Sequence, residues 1–165
     1  MTTAGTHRVP IDKQHPQIYR AQIQVAQAIR KATRDAGLDR TLVELVNVRI
    51  SQMNACAYCL HIHVRDSRAA GETPQRLAVL PAWRDTTLFT DTERAALTLA
   101  ETITALPDLH TQEHDYAEAS RHLTPDQISA VGWVAIAMNA FNRVSVISRH
   151  PVRREPDTSA QPSRD

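Results

Sequence analysis

Apolar residues recur along most of the chain at the spacing of amphipathic helices, and no segment shows a convincing strand pattern. After Pro16 they share one helical face, and Gly37 is placed to end that helix. This face comprises Ile18, Tyr19, Ile23, Ala26 and Ile29. A second helix is expected from about Asp39, a candidate N-cap, to a break at Ser51 and Asn54. The pattern predicts an all-α protein.

Further helix starts are marked by capping residues. Thr73 followed by Pro74 is a cap with proline at the first helical position, so a short helix should follow. The sequences TDTE at 90–93 and TPDQ at 124–127 both fit the capping box, and each predicts a helix. The stretch 112–122, rich in Ala and Glu, is expected to form a polar helix between them.

The helix that opens at Pro125 is unusually apolar, because ISAVGWVAIAMNAFNRVSVIS has almost no charge before Arg143. A helix that is apolar nearly all round must be buried. A chain of 165 residues has little interior, so we expect part of this helix to lie in a subunit interface. A central core helix in a monomer is the alternative. No uncharged stretch reaches the roughly 18 residues of a membrane span.

Composition narrows the classes of partner. With 19 Lys and Arg against 18 Asp and Glu, the formal charge is +1, and two Trp, three Tyr and two Phe leave few stacking platforms. Neither nucleic acid nor membrane is therefore an expected partner. One domain is expected over residues 1–150, followed by a disordered tail at 151–165. The N-terminus lacks the apolar core of a signal peptide, so we expect a cytoplasmic protein.

The candidate chemistry lies in the segment CAYCLHIHVRDSRAAG, which ends at Gly71. If Cys56 begins a helix, Cys59 lies about 60° around it and His63 about 40° beyond, so the three share one face. Their spacing puts the two cysteine Cα atoms about 5 Å apart, within the range that a disulfide needs. A helix N-terminus and a neighbouring imidazole both favour a reactive thiolate. His61, about 200° from Cys59, should point away and is left outside the site.

Three interpretations of this segment stay open on spacing alone. The cysteines form a redox dithiol, they bind zinc with His63 and a fourth ligand such as Glu44, or they pack as small apolar residues. Packing is also expected of Trp83 and Trp133. Six histidines are predicted to lie outside any site: His7, His15 and His150 near the termini, and His110, His114 and His122 in polar segments of the sequence.

The order Glu44, Cys56-Ala-Tyr-Cys59 and His63 resembles the AhpD-like alkylhydroperoxidase core of the carboxymuconolactone decarboxylase superfamily. The similarity extends through SQMNACAYCLHIHVRDSRAAGET, LPAWRDTTLFTDTERAALTLAETIT and IAMNAFNRVSVISR, and covers roughly residues 15–150. The resemblance implies an all-helical fold whose members assemble as homo-oligomers, commonly trimers or hexamers.

The resemblance also implies a peroxidase that reduces hydrogen peroxide or organic hydroperoxides through a dithiol/disulfide cycle, without a bound metal, haem or flavin. It assigns Cys59 as the peroxidatic cysteine, Cys56 as the resolving cysteine, and Glu44 and His63 as the proton relay. A separate thiol reductant must restore the dithiol, and in some members it is a lipoylated or thioredoxin-like protein.

One position departs from the best-known hydroperoxidases. Their motif has a relay histidine directly before the second cysteine, where this chain has Tyr58, a residue able to donate a hydrogen bond or to pack beside the site. The namesake decarboxylases lack the dithiol, so Cys56 and Cys59 count against lactone decarboxylation. A general thiol-disulfide oxidoreductase or redox sensor is the functional alternative.

Overall fold

The structure is a computed structural model that describes residues 8–154. Within this range the chain forms α-helices and one 3-10 helix but no strand, which confirms the all-α class. The helices are α1 (Ile11–Gln14), α2 (Pro16–Asp35), α3 (Arg40–Met53), α4 (Ala57–Ala69), α5 (Pro74–Val79), the 3-10 helix (Leu80–Asp85), α6 (Asp91–Ala105), α7 (Leu109–Ala119) and α8 (Pro125–Ser148). Residues 151–154 have no regular secondary structure. The rest of the predicted tail, 155–165, lies outside the described residues, as does His7.

The predicted caps lie where the helices begin and end. The Asp39 side chain accepts a hydrogen bond from the Leu42 amide at 2.7 Å and so caps α3. Both predicted capping boxes form, at the starts of α6 and α8. Gly37 and Gly71 follow α2 and α4 with φ of 72° and 106°, backbone conformations that strain a residue with a Cβ. The sequence did not predict α1 or the 3-10 helix.

The central element is α3, which contacts α4, α6 and α8. On one side, Val46 and Ile50 join a large apolar cluster with residues of α6 and α8. On the other, Leu45 and Val48 join a smaller cluster that includes Trp83 of the 3-10 helix. Full burial of such a side chain stabilises the fold by about 1.5–3 kcal/mol. Packing on both sides therefore holds α3, and the side chains that it carries, in a fixed position.

The apolar helix α8 is buried on one side only. Val131 and Ala135 lie in the core, whereas Trp133 is 53% exposed and Ile136 is 52% exposed. A stripe of four exposed residues within about 60° of one another runs along the outer side. We call this the outer stripe: Trp133, Ile136, Ala140 and Ile147. Within a single chain Trp133 therefore lies on the outer side of α8, whereas Trp83 is buried as predicted.

By length and composition alone, α8 is also apolar enough to cross a membrane. It packs against α2, α3 and α6, however, and the core helix of a soluble protein passes the same test. The packing accounts for the apolar inner side of α8 without a membrane.

Candidate active site

The two cysteines lie at the N-terminus of α4 and form a disulfide. Cys56 is the N-cap, and its Sγ accepts a hydrogen bond from the Cys59 amide at 3.3 Å. Their Cα atoms are 5.4 Å apart, as the helical spacing predicted. The residues are only 1% and 4% exposed, so both are enclosed by the fold. The amides of the first turn of α4 favour negative charge on a sulfur at this position once the disulfide is reduced.

The backbone makes a strained turn directly before Cys56. After α3 ends at the cap residue Asn54, Ala55 adopts φ 51°, in the left-handed region that favours glycine. The Cys56 amide then donates to the carbonyl oxygen of Ser51 at 3.0 Å. This turn brings the end of α3 directly into the start of α4, with the disulfide at the junction.

Two asparagines of α8 hold that turn in place. The side-chain Nδ2 of Asn54 donates to the side-chain oxygens of Asn139 and Asn142, both at 2.9 Å. Asn142 is fully buried and donates in turn to the Ser51 hydroxyl at 3.2 Å. Sequence reasoning missed this cluster, although two amides one helical turn apart on an otherwise apolar helix are a signal of buried hydrogen bonding.

The predicted carboxylate and imidazole meet between α3 and α4. The Nδ1 atom of His63 lies 2.8 Å from Oε2 of Glu44. Glu44 is 8% exposed, and the Asn47 side chain donates to the same oxygen at 3.3 Å. Because His63 follows Cys59 by four residues, the two side chains are neighbours on one face of α4. Nδ1 is engaged by the carboxylate, so Nε2 is the nitrogen left for proton exchange.

The structure thus brings Glu44 and His63 together in one pair, one helical turn from the Cys56–Cys59 disulfide. It also brings in a residue that the sequence analysis had excluded. The ring of His150, which follows α8, lies edge-on to the ring of Tyr58 with 5.0 Å between centroids. His150 was expected to lie outside the site as a terminal histidine, and the sequence did not predict its contact with Tyr58, which forms because the end of α8 packs beside α4.

Two cavities lie near the surface. One of about 440 Å³ borders the turn before Cys56 and is lined by Arg8, Asn54, Asn142, Arg143, Val146 and Ile147. The other, of about 340 Å³, lies between α6, α7 and the 3-10 helix; His114 and His122 line it, and neither cysteine does. Among residues 8–154, no three His, Cys, Asp or Glu side chains are grouped as metal ligands, so the geometry lends no support to the zinc interpretation.

Comparison with known proteins agrees with the fold and the motif. Residues 16–102 match the carboxymuconolactone decarboxylase family. The uncharacterized protein YdfG of Bacillus subtilis strain 168 is 35% identical over 118 residues, which are 72% of this chain and 80% of YdfG. The uncharacterized protein YnjA of Escherichia coli K12 is 38% identical over 71 residues, which are 42% of this chain and 38% of YnjA.

A solved structure is similar over nearly the whole fold. It is the crystal structure of a protein of unknown function from Agrobacterium tumefaciens, described as a candidate antioxidant defence protein AhpD. The TM-score is 0.78 with 25% sequence identity, over 90% of this chain and 100% of the other. The helical arrangement that holds the dithiol is therefore that of an AhpD-like protein.

Proposed function

The chain belongs to the carboxymuconolactone decarboxylase family, and from that premise we propose that it is a cysteine-based peroxidase of the AhpD type. Its substrates are hydrogen peroxide or organic hydroperoxides, and its redox centre is the Cys56–Cys59 pair. The observation that carries the proposal is the Glu44–His63 contact of 2.8 Å, one helical turn from Cys59. A dithiol that only packs in the core has no need of an acid–base pair beside it.

In the first step, the Cys59 thiolate attacks one oxygen of the peroxide. The O–O bond breaks as an S–O bond forms, so the peroxide is reduced by two electrons and Cys59 becomes a sulfenic acid. His63 accepts the thiol proton and delivers a proton to the departing alkoxide or hydroxide. Glu44 orients the imidazole through Nδ1.

In the second step, the Cys56 thiol attacks the sulfenic sulfur of Cys59. The S–S bond forms and water leaves, which gives the disulfide seen in the structure. A separate dithiol reductant, lipoylated or thioredoxin-like, then returns two electrons by thiol–disulfide exchange. The cycle uses only protein side chains, the peroxide and this reductant.

The Glu44–His63 pair favours a peroxide over a protein disulfide as the partner in the first step, because the departing alkoxide or hydroxide needs a proton. The cysteines are 1% and 4% exposed, so the peroxide and the thiol of the reductant must both reach enclosed sulfurs. The cavity of about 440 Å³ borders Asn54 in the turn before Cys56, and neither cysteine lines it. General disulfide exchange therefore ranks second, and the absence of a dithiol in the namesake decarboxylases places lactone decarboxylation last.

A rate comparison separates the two redox functions. The fully reduced protein is mixed with cumene hydroperoxide or with an oxidised thioredoxin-like protein, and the loss of free thiols is followed in time. We expect the hydroperoxide to react faster at equal concentration, because the Glu44–His63 pair supplies a proton to its leaving oxygen. Faster reaction with the protein disulfide, at a rate that His63→Gln leaves unchanged, would favour a disulfide reductase or sensor instead.

The proposal also covers the compartment and the oligomeric state of the protein. We place the protein in the cytoplasm, where thiols are kept reduced and a dithiol can cycle. We also propose a homo-oligomer, a trimer or a hexamer, in which the outer stripe of α8 is covered by another copy. No nucleic acid or membrane takes part.

A further inference from the structure

We propose that His150, held by Asp12, is a positioning residue for the dithiol and acts through the ring of Tyr58 on the first turn of α4. The inference rests on the proposed function, since it adds a residue to that same site. It assigns a role to two residues from opposite ends of the described chain and to Tyr58, one of the two residues between the cysteines.

The contacts of His150 are specific. Its Nε2 lies 3.1 Å from Oδ1 of Asp12, and the two side chains are only 14% and 12% exposed. Its ring lies edge-on to the Tyr58 ring, with 5.0 Å between centroids and an interplanar angle of 71°. This is the geometry that aromatic pairs favour, and it places the positive edge of one ring against the face of the other.

The backbone around His150 fixes its side chain. The His150 amide donates to the carbonyl oxygen of Ser145 at 3.0 Å, which closes the C-terminus of α8. One turn further along that end, the Ser148 hydroxyl accepts a hydrogen bond from the Ile11 amide at 3.1 Å. The end of α8 and the start of α1 are thereby joined at two points, one by Ser148 and one by the Asp12–His150 pair.

The Asp12–His150 contact also affects the pKa of the carboxyl group. Burial by itself raises the pKa of Asp12, but the hydrogen bond and the charge of His150 bring that pKa below its ordinary value. Tyr19 faces the same cluster, and burial followed by the proximity of Tyr58 and Asp12 raises the pKa of Tyr19. Asp12, Tyr19, Tyr58 and His150 therefore form one partly buried polar and aromatic cluster beside the motif.

Tyr58 transmits this contact to the sulfurs because of its place in the chain. It lies in the first turn of α4, between the N-cap Cys56 and Cys59. When His150 holds the Tyr58 ring, it restrains the backbone of that turn, and with it the position of Cys59 relative to Cys56. The contact is present with the disulfide formed, and the inference is that it is weaker in the dithiol, so its loss should favour the dithiol over the disulfide.

The test measures the redox equilibrium of Cys56 and Cys59 against dithiothreitol, which reports on the pair whether or not the protein reduces peroxide. We expect His150→Ala, Asp12→Ala and Tyr58→Ala each to make the disulfide easier to reduce, changing the equilibrium constant by about two- to tenfold. Tyr58→Phe keeps the ring and Asp12→Asn keeps a hydrogen-bond acceptor, so both should stay near wild type. His114→Ala is the matched control, since the His114 side chain is 66% exposed and its residue lies on α7.

The double variant His150→Ala/Tyr58→Ala decides whether His150 acts through Tyr58. Its shift should equal that of the larger single variant rather than the sum, because both changes remove the same contact. Unchanged equilibria in His150→Ala and Asp12→Ala, or additive shifts, would overturn the inference. If His150→Ala does not fold, the same comparison of single and double variants is made with Asp12→Ala and Tyr58→Ala. A wild-type protein inert to peroxide would overturn the proposed function alone and leave this measurement intact.

Discussion

At the scale of single residues, the chemistry depends on where one proton resides. The Glu44 carboxylate meets Nδ1 of His63 at 2.8 Å, which sets the orientation of the ring and leaves Nε2 for the thiol or the leaving oxygen. Neither residue takes part in electron transfer. Their removal should therefore affect the rate of peroxide attack and spare the ability of the cysteines to form a disulfide.

We predict that His63→Gln and Glu44→Gln slow the reaction of the reduced protein with cumene hydroperoxide by about 10²-fold, the lower range for loss of general acid–base catalysis. The disulfide should still form with a strong chemical oxidant such as diamide. Stopped-flow loss of thiols measures both rates, with His114→Gln as the control for a histidine outside the site. Rates in both relay variants equal to wild type would exclude the pair from catalysis.

The four site residues could be predicted because a short motif determines most of their geometry. Cys56, Cys59 and His63 share one helix, so their mutual placement follows from helical periodicity alone. That Glu44 faces His63 came from the resemblance, since a strained turn at Ala55 separates their helices. The contact of His150 with Tyr58 could not be predicted, because no local pattern brings residues so far apart in sequence together.

At the scale of elements, one carboxylate joins three parts of the fold. Glu101 of α6 accepts hydrogen bonds from Arg49 of α3 at 2.6 Å, from the Trp83 indole at 2.8 Å and from Arg84. Burial by itself raises the pKa of Glu101, but these donors bring it below its ordinary value of 4.5. The cluster fixes the 3-10 helix and α6 against the helix that carries Glu44.

We predict that Glu101→Gln lowers the free energy of unfolding by about 1–3 kcal/mol at pH 7, because buried donors lose a charged partner. The folded-state pKa lies below the unfolded value, so this contribution is complete above pH 4.5 and is lost as the pH falls through the folded-state pKa. Urea unfolding of both proteins at pH 7 and at acidic pH measures the difference. An equal difference at every pH would contradict this account of Glu101.

Helix starts could be predicted because capping residues are local chemical signals, as at Asp39 and in the two capping boxes. The 3-10 helix at Leu80–Asp85 was missed because six residues are too few for a hydrophobic period. α7 begins at Leu109 rather than at residue 112, since Asp108 caps it through the Thr111 amide. That cap was present in the sequence and was not recognised.

At the scale of the whole molecule, α8 joins the site to the surface. Its inner side supplies the asparagines that hold the turn before Cys56, and its outer stripe exposes Trp133 and Ile136. The apolar composition of α8 could be interpreted from sequence as burial, but the division between core and outer surface could not. That division depends on which helices surround it, and periodicity does not determine them when every face is apolar.

We predict that Trp133→Glu and Ile136→Glu each reduce the solution mass of the protein toward that of one chain, because a buried unpaired charge disfavours the contact between copies. Size-exclusion chromatography with light scattering measures the mass. Leu109→Glu is the matched control, since Leu109 is 70% exposed and lies on α7, away from the stripe. A wild-type monomer, or oligomers in both stripe variants, would contradict assembly through α8.

Peroxide reduction by this dithiol can be followed directly by intact mass. The fully reduced protein is mixed with a small excess of cumene hydroperoxide, and its intact mass is followed under non-reducing conditions. The account predicts rapid loss of two hydrogens, mapped to a Cys56–Cys59 disulfide, with no comparable reaction in Cys59→Ser.

Cys56→Ser should gain one oxygen and stop at the sulfenic acid or oxidise further, because the resolving thiol is absent. The chain has two cysteines, so each variant leaves a single sulfur to follow. An unchanged wild-type mass while both thiols remain open to alkylation would contradict the claim, as would a Cys59→Ser variant that consumes peroxide at the wild-type rate.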